Sequence, residues 1–202
     1  MPDNNYGAYH LGDNPTLYEP QRTNNFVFVV SDIDGILRSS PSSYSEANLS
    51  IANAQSVLYF SVASVQLPHF SQQPIEIKRG NSSIKVAGVP SFTGGQLTVH
   101  DYIGADPKSI LMAWQALSYN IETEAVGRMA EYKKDCTLIE YTPDHEVVRY
   151  YDLKGCWISG LSEDQRSHDT NNASMITVDV QFDRAAMRLP DVEQELYIPT
   201  GA

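Results

Sequence analysis

The sequence predicts a mainly β protein, an antiparallel β-sandwich or barrel carrying one α-helix at about 107–119. Three observations lead there. Short runs of β-branched and aromatic residues recur along the chain, parted by Gly, Pro, Asn and Ser. The run from 174 to 183 alternates, with Ser174, Ile176, Val178, Val180 and Phe182 on one side and Met175, Thr177, Asp179, Gln181 and Asp183 on the other. One segment shows a clear helical face: Asp106 can cap, Pro107 suits the first helical position, and Ile110, Leu111, Trp114 and Leu117 share a side. No internal repeat is visible.

Taken in order, residues 1–24 are polar and turn-rich, with Tyr6, Tyr9 and Tyr18 as apolar anchors and no periodic pattern, so they read as an N-terminal arm. The domain spans 25–187. It opens with Phe26–Val30, apolar on both faces, as a buried strand requires. The Ser-rich stretch of about 38–53, with Pro41 and Asn48, reads as a loop insertion. Gln55–Val65 reads as a second strand. Ile75–Lys78 and Ile84–Ala87 are shorter strands meeting at a hairpin tip, Arg79-Gly80-Asn81, and Gln96–Tyr102 continues the β pattern. After the helix, Cys136–Thr142 and Glu146–Leu153 flank Thr142-Pro143-Asp144-His145. Pro at the second turn position fixes φ and Asp tolerates the reversal, so antiparallel pairing follows. The chain beyond Met187, 188–202, reads as a C-terminal tail.

A chain of 202 residues buries roughly 70% of its unfolded surface when it forms one domain, and so needs no disulfide or metal to fold. Cys136 and Cys156 sit inside expected strands without a C-x-x-C spacing and read as reduced packing residues, with a disulfide or metal site as the alternative. The start carries no basic region or apolar core, and no run approaches the ~20 apolar residues of a membrane span, so the expectation is a protein assembled in the cytosol. Acidic residues outnumber basic ones 25 to 14, a net charge of −11. The lack of a basic stripe to neutralise phosphates argues against ordinary nucleic-acid binding.

The sharpest enzyme-like string is Phe26–Ile36, an apolar strand ending in Asp32-Ile33-Asp34-Gly35. It resembles the first motif of haloacid-dehalogenase-type phosphatases, which implies Asp32 as nucleophile, Asp34 as acid/base and Mg²⁺ nearby. That fold needs alternating strands and helices and a second acidic pair after a buried strand, and this chain carries neither. The plainer reading is a strand running into an Asp/Gly turn. His100-Asp101, Asp144-His145 and His168-Asp169 read as surface polar pairs: neighbours on a strand point to opposite faces, which rules out a dyad for the first, and the other two lie in expected turns or loops. No zinc spacing and no phosphate-binding or nucleophile-elbow motif occurs, so the chain offers neither a catalytic set nor a cofactor site.

The stretch 130–161 carries a family likeness. Its entry Ala130-Glu131-Tyr132-Lys133-Lys134 and exit Asp152-Leu153-Lys154-Gly155-Cys156-Trp157 resemble the tail tube protein of contractile-tailed bacteriophages, which is related to type VI secretion and extracellular injection tube proteins. The likeness extends to Ser83–Gly88 with Leu97-Thr98-Val99, to Lys108–Tyr119 around Trp114-Gln115, and to Asn171–Val180. It covers roughly 25–187 in consistent order. The resemblance implies a structural virion protein of the tail, not an enzyme, assembled in the host bacterial cytoplasm. Its strands join hexameric rings into an inner barrel, and the rings stack through loops and arms. The implied partners are further copies, tail sheath, baseplate and terminator proteins, and DNA in passage without specific binding. No membrane insertion and no cofactor is implied. A negative wall repels a negative polymer, which suits a conduit for DNA ejection. Glu140, Glu146, Asp179 and Asp183 are the candidate lumen or interface carboxylates. A non-phage injection tube, or an end-cap, initiator or baseplate component of the same fold, is the alternative.

Overall fold

The computed structural model describes residues 20–40, 54–104, 106–169 and 172–190. Most of the expected arms and of the 38–53 insertion lies outside these residues. In chain order the elements are β1 (Phe26–Val30), α1 (Ile33–Ser39), α2 (Ala54–Ser61), β2 (Val62–Val65), β3 (His69–Gln72), β4 (Ile75–Arg79), β5 (Ser82–Val86), β6 (Pro90–Thr93) and β7 (Gly95–His100). There follow α3 (Pro107–Ser118), β8 (Tyr119–Asn120), β9 (Ala125–Val126), α4 (Met129–Tyr132), β10 (Lys134–Tyr141), β11 (Val147–Glu163), β12 (Met175–Gln181) and β13 (Arg184–Arg188). The protein is mainly β with antiparallel sheets, as expected from the recurring β runs.

The organising element is β11, 17 residues long. Its first part pairs with β10 on one side and β13 on the other; its last part pairs with β12, which pairs with β7, and β7 with β2. A strand that long cannot serve one flat sheet, because accumulated twist turns its ends apart. Three register shifts interrupt its pairings, one of them near its start, where Glu140↔Arg149 gives way to Tyr141↔Val147. Asp135 of β10 faces two residues of β11 where the register passes from Lys134↔Cys156 to Cys136↔Leu153, and Gly155 there takes φ +68. A third shift lies between Ile158 and Gly160. β1 completes one end by pairing with β10, Phe26 opposite Glu140. Among the described residues the hydrogen-bonded path runs from β1 to β2 without closing.

The inner faces bury the core. Phe28, Val30, Leu138, Leu153, Ile158, Ile176, Val178, Leu97 and Val99 from the strands meet Ile33, Ile36, Leu58, Ile110, Leu111 and Trp114 from the helices. The central helix is α3, begun where Asp106 accepts from the Ser109 amide at 3.0 Å with Pro107 following. Trp114 places its indole N–H 2.8 Å from the Tyr132 carbonyl, so a large buried ring keeps its one polar group satisfied.

Several expectations need correction. Among the described residues the helix over 107–119 is one of four helical segments, not the only one. Gln55–Val65 is not one strand: Ala54, Leu58 and Ser61 are buried at helical spacing in α2, and only Val62–Val65 is extended. The Asp-x-Asp-Gly string does not end in a simple turn. Asp32, at φ 55, caps α1 by accepting from the Gly35 amide at 3.2 Å, and Ile33 and Ile36 bury one side of that helix. Arg38 and Ser39 therefore belong to a helix and not to the loop. The second hairpin strand does not stop at Leu153 but continues to Glu163, because β12 supplies a new partner. Arg188, assigned to the tail, ends β13.

Candidate assembly surface

Residues 69–93 form a two-stranded ribbon in two tiers, β3 with β6 and β4 with β5. Its tip is the two-residue turn Gly80-Asn81, with positive φ at Gly80 alone (+60), as a type II′ turn requires. Between the tiers, a Cβ on Gly88 would run into the Gln73 carbonyl, so only glycine lets the strands stay close there. Phe92 anchors the base, packing on Phe70 at 5.8 Å and on core Phe182 at 6.4 Å. Ile75 faces Val86 and Ile77 faces Ile84, which puts all four on one side; Glu76, Lys78, Ser83 and Lys85 take the other. The apolar side is open to solvent: Ile75 is 54% exposed, Ile77 50%, Ile84 46% and Val86 40%.

Further apolar side chains stand in solvent at Tyr59, Phe60, Tyr102 and Ile103, and around the β8–β9 hairpin at Tyr119, Ile121, Val126 and Met129. In the seven-stranded sheet the outer edges of β1, β2 and β13 have no partner among the described residues. Such edges and an apolar ribbon are liabilities for a lone molecule and docking features for an assembling one.

The four candidate carboxylates separate by environment. Glu140 is paired with Arg149 at 3.0 Å and largely covered, while Asp183 is paired with Lys133 at 2.7 Å. Asp179 is exposed and accepts from the Gln96 side-chain amide at 3.2 Å; Glu146 is exposed beside the hairpin turn, its amide held by the Thr142 hydroxyl at 3.2 Å. The fold does not gather the four into one cluster. Lys133, Lys134 and Asp135 instead form a hub the sequence reading missed. Lys133 reaches Asp183, Lys134 reaches Asp32 at 2.7 Å, and Asp135 binds Lys154 at 2.6 Å and the Gly155 amide at 3.2 Å. Three consecutive residues thus tie α1, β11 and the β12–β13 link together. The Lys134 ammonium holds the Asp32 carboxyl below its ordinary range, and Lys154 does the same for Asp135. No charge pattern local to 133–135 reveals these partners, which lie far away in sequence.

The capping bond and the Lys134 contact account for Asp32, and the antiparallel sheet around it is not the alternating architecture a phosphatase of that type needs. Among the described residues no three His, Cys, Asp or Glu side chains are grouped to hold a metal. The His-Asp neighbours diverge as expected: Asp101 binds Arg166 at 3.2 Å, whereas the His100 ring lies 6.1 Å from that of Tyr102. His145 lies in its turn near Tyr141, and His168 and Asp169 are exposed.

No protein-family model matches the chain, and no curated protein matches it. Solved structures do, and they define a class by fold: the chain has the architecture found in contractile injection systems. One is the sheath/tube terminator of the extracellular contractile injection system PVC in the extended state, 16% identical, TM-score 0.59, covering 84% of this chain and 97% of that one. A second is the sheath-tube complex of the same system, 15% identical, TM-score 0.59, covering 92% and 99%. A third is the tube-terminating cap of the anti-feeding prophage, 13% identical, TM-score 0.60, covering 85% and 93%. At these identities the likeness concerns the fold, which agrees with the tube-type expectation drawn from the hairpin and its flanks.

Proposed function

We propose that this chain is a structural, non-catalytic subunit of a contractile tail, polymerising as stacked hexameric rings into the inner tube. The observation that carries this reading is the solvent-exposed apolar face of the β4–β5 ribbon on a domain of tube-type fold. A two-stranded ribbon is marginal alone, and an apolar side on it makes sense once another subunit covers it. The free edges of β1, β2 and β13 offer strand pairing for ring closure. Sheath, baseplate and terminator proteins are the further partners, by analogy with the assemblies named in the compared structures. The net charge of −11 suits a conduit that lets DNA slide without sticking, and the exposure of Glu146 and Asp179, which are not ion-paired with a described cation, supports assigning these two carboxylates to it. The particle would be assembled in the bacterial cytoplasm.

The test is direct. Purified protein examined by negative stain over a concentration series is expected to give rings or hollow filaments of six-fold symmetry. A persistent monomer at high concentration overturns the reading. A second reading, the tube or terminator of a non-phage injection system, is favoured by the origin of the compared structures in such systems. Particles recovered from producing cells separate the two: nuclease-protected DNA co-purifying with the tail supports the phage conduit, and tails that carry no DNA support the injection system.

A further inference from the structure

We propose that Cys136 and Cys156 are a latent disulfide, a covalent staple across β10 and β11 that closes when the folded chain meets a small-molecule disulfide. The two thiols are free, face the interior at 2% and 0% exposure, and belong to adjacent paired strands. They flank the bulge, Lys134 opposite Cys156 and Cys136 opposite Leu153. In an even ladder residues on such a diagonal sit about 7–8 Å apart, just past the roughly 7 Å within which a disulfide closes without backbone movement. Here β11 bends at Gly155, and Asp135 holds the bend through the Gly155 amide and the Lys154 ammonium. Both thiols face the same interior on either side of that bend, so a small backbone movement there closes the gap between them.

The chemistry balances as thiol–disulfide exchange. The thiolate of one cysteine attacks a sulfur of the small disulfide, giving a mixed disulfide and releasing one small thiol. The thiolate of the other cysteine then displaces the second. The protein thiols lose two hydrogens and are oxidised; two molecules of small thiol carry them away. Burial pushes the Cys136 thiol well above its ordinary range, so the reaction waits for local opening of the bulge. In a reducing compartment the pair stays open, and in an oxidising one it locks the strands that carry the sheet's bend. No surface cysteine competes, since both cysteines of the chain are buried.

The experiment incubates the full-length chain with glutathione disulfide and reads intact mass, thiol content in denaturant, and Tm. The expected product is a monomeric chain lighter by two hydrogens, with no reactive thiol and a Tm higher by roughly 5–10 °C, the gain for closing a loop of about 20 residues. Sub-denaturing urea should speed its formation. Cys136→Ala and Cys156→Ala each abolish the oxidant-dependent Tm shift, and the wild-type mass reading stands by itself if a variant fails to fold. A mass that stays unchanged or gains only glutathione adducts, or a bridge that forms only after global unfolding or lowers Tm, overturns the proposal.

Discussion

Replacing Ile77 and Ile84 together by Thr tests the assembly surface where it is most specific. The two are cross-strand partners, and about half of each remains in water, 50% and 46%. Covering the exposed half of an isoleucine contributes about 1 kcal/mol, so the pair contributes about 2 kcal/mol to each docked ribbon. Losing it weakens each docking step roughly 30-fold. Thr keeps the β preference and a favourable cross-strand pair, so the ribbon itself survives. Sedimentation velocity through a dilution series, checked by negative stain, should show assembly displaced to higher concentration by about that factor. The monomer Tm should move by no more than about 2 °C, because surface changes stay near ±0.5 kcal/mol. Ser83→Ala, on the polar side, is the control and should change neither reading. Assembly of the double variant at the wild-type concentration would refute the claim that this face is covered in the assembly.

The remaining predictions concern the frame that holds the surface. Trp114→Phe strips the Tyr132 carbonyl of its 2.8 Å partner and leaves a void in the core; the expected loss is about 2–4 kcal/mol, read as a Tm fall of roughly 5–10 °C by calorimetry. Gly155→Ala forces a Cβ at φ +68 against the Asp183 carboxylate, so chemical denaturation should show a loss of more than about 1 kcal/mol. Burial, then contact with Tyr59, pushes the Tyr141 phenol up to about 12. A raised folded value favours the protonated form, so this contribution is present below about pH 10 and is lost as pH rises towards 12. Ultraviolet titration should show one lagging phenol, absent in Tyr141→Phe. For Asp135 the sign is opposite: the hydrogen bond from Lys154 lowers its folded value, so the contribution holds above the ordinary 3.8 and is lost as pH falls through the folded value. Asp135→Asn should make the decline of Tm below pH 4 shallower, and an unchanged slope would count against the Asp135–Lys154 pairing.

Legibility followed the range of the interactions. Helix α3 was readable because Asp106, Pro107 and the Ile110–Leu117 stripe act within a dozen residues of one another. The β12 alternation was readable for the same reason, and Ile176, Val178, Val180 and Phe182 are indeed the buried side. The β4–β5 tip announced itself through Gly80. Helix α2 was misread because Val57, Tyr59 and Phe60 favour extended chain locally, while packing against β1 and α3 makes the helix the better choice. The C-terminal half of β11 was invisible from its own residues, since its partner begins at Met175. For the carboxylates, sequence marked Glu140, Glu146, Asp179 and Asp183 alike, and only the fold separated two ion-paired groups from two that are not.

By itself the sequence determined the β-rich class, the capped helix, the hairpin tips and the two faces of the closing strand. These rest on backbone dihedral preferences and on side-chain periodicity, which act between near neighbours. Tertiary structure alone decided the bend of β11, the hub at Lys133–Asp135, the placement of Cys136 and Cys156 on either side of one bulge, and the exposure of the ribbon. Each of these depends on pairings such as Phe26 with Glu140 or Ile158 with Val180. Such contacts pay only once the intervening loops have closed, so their energy belongs to the assembled sheet and leaves no mark on any single stretch of chain.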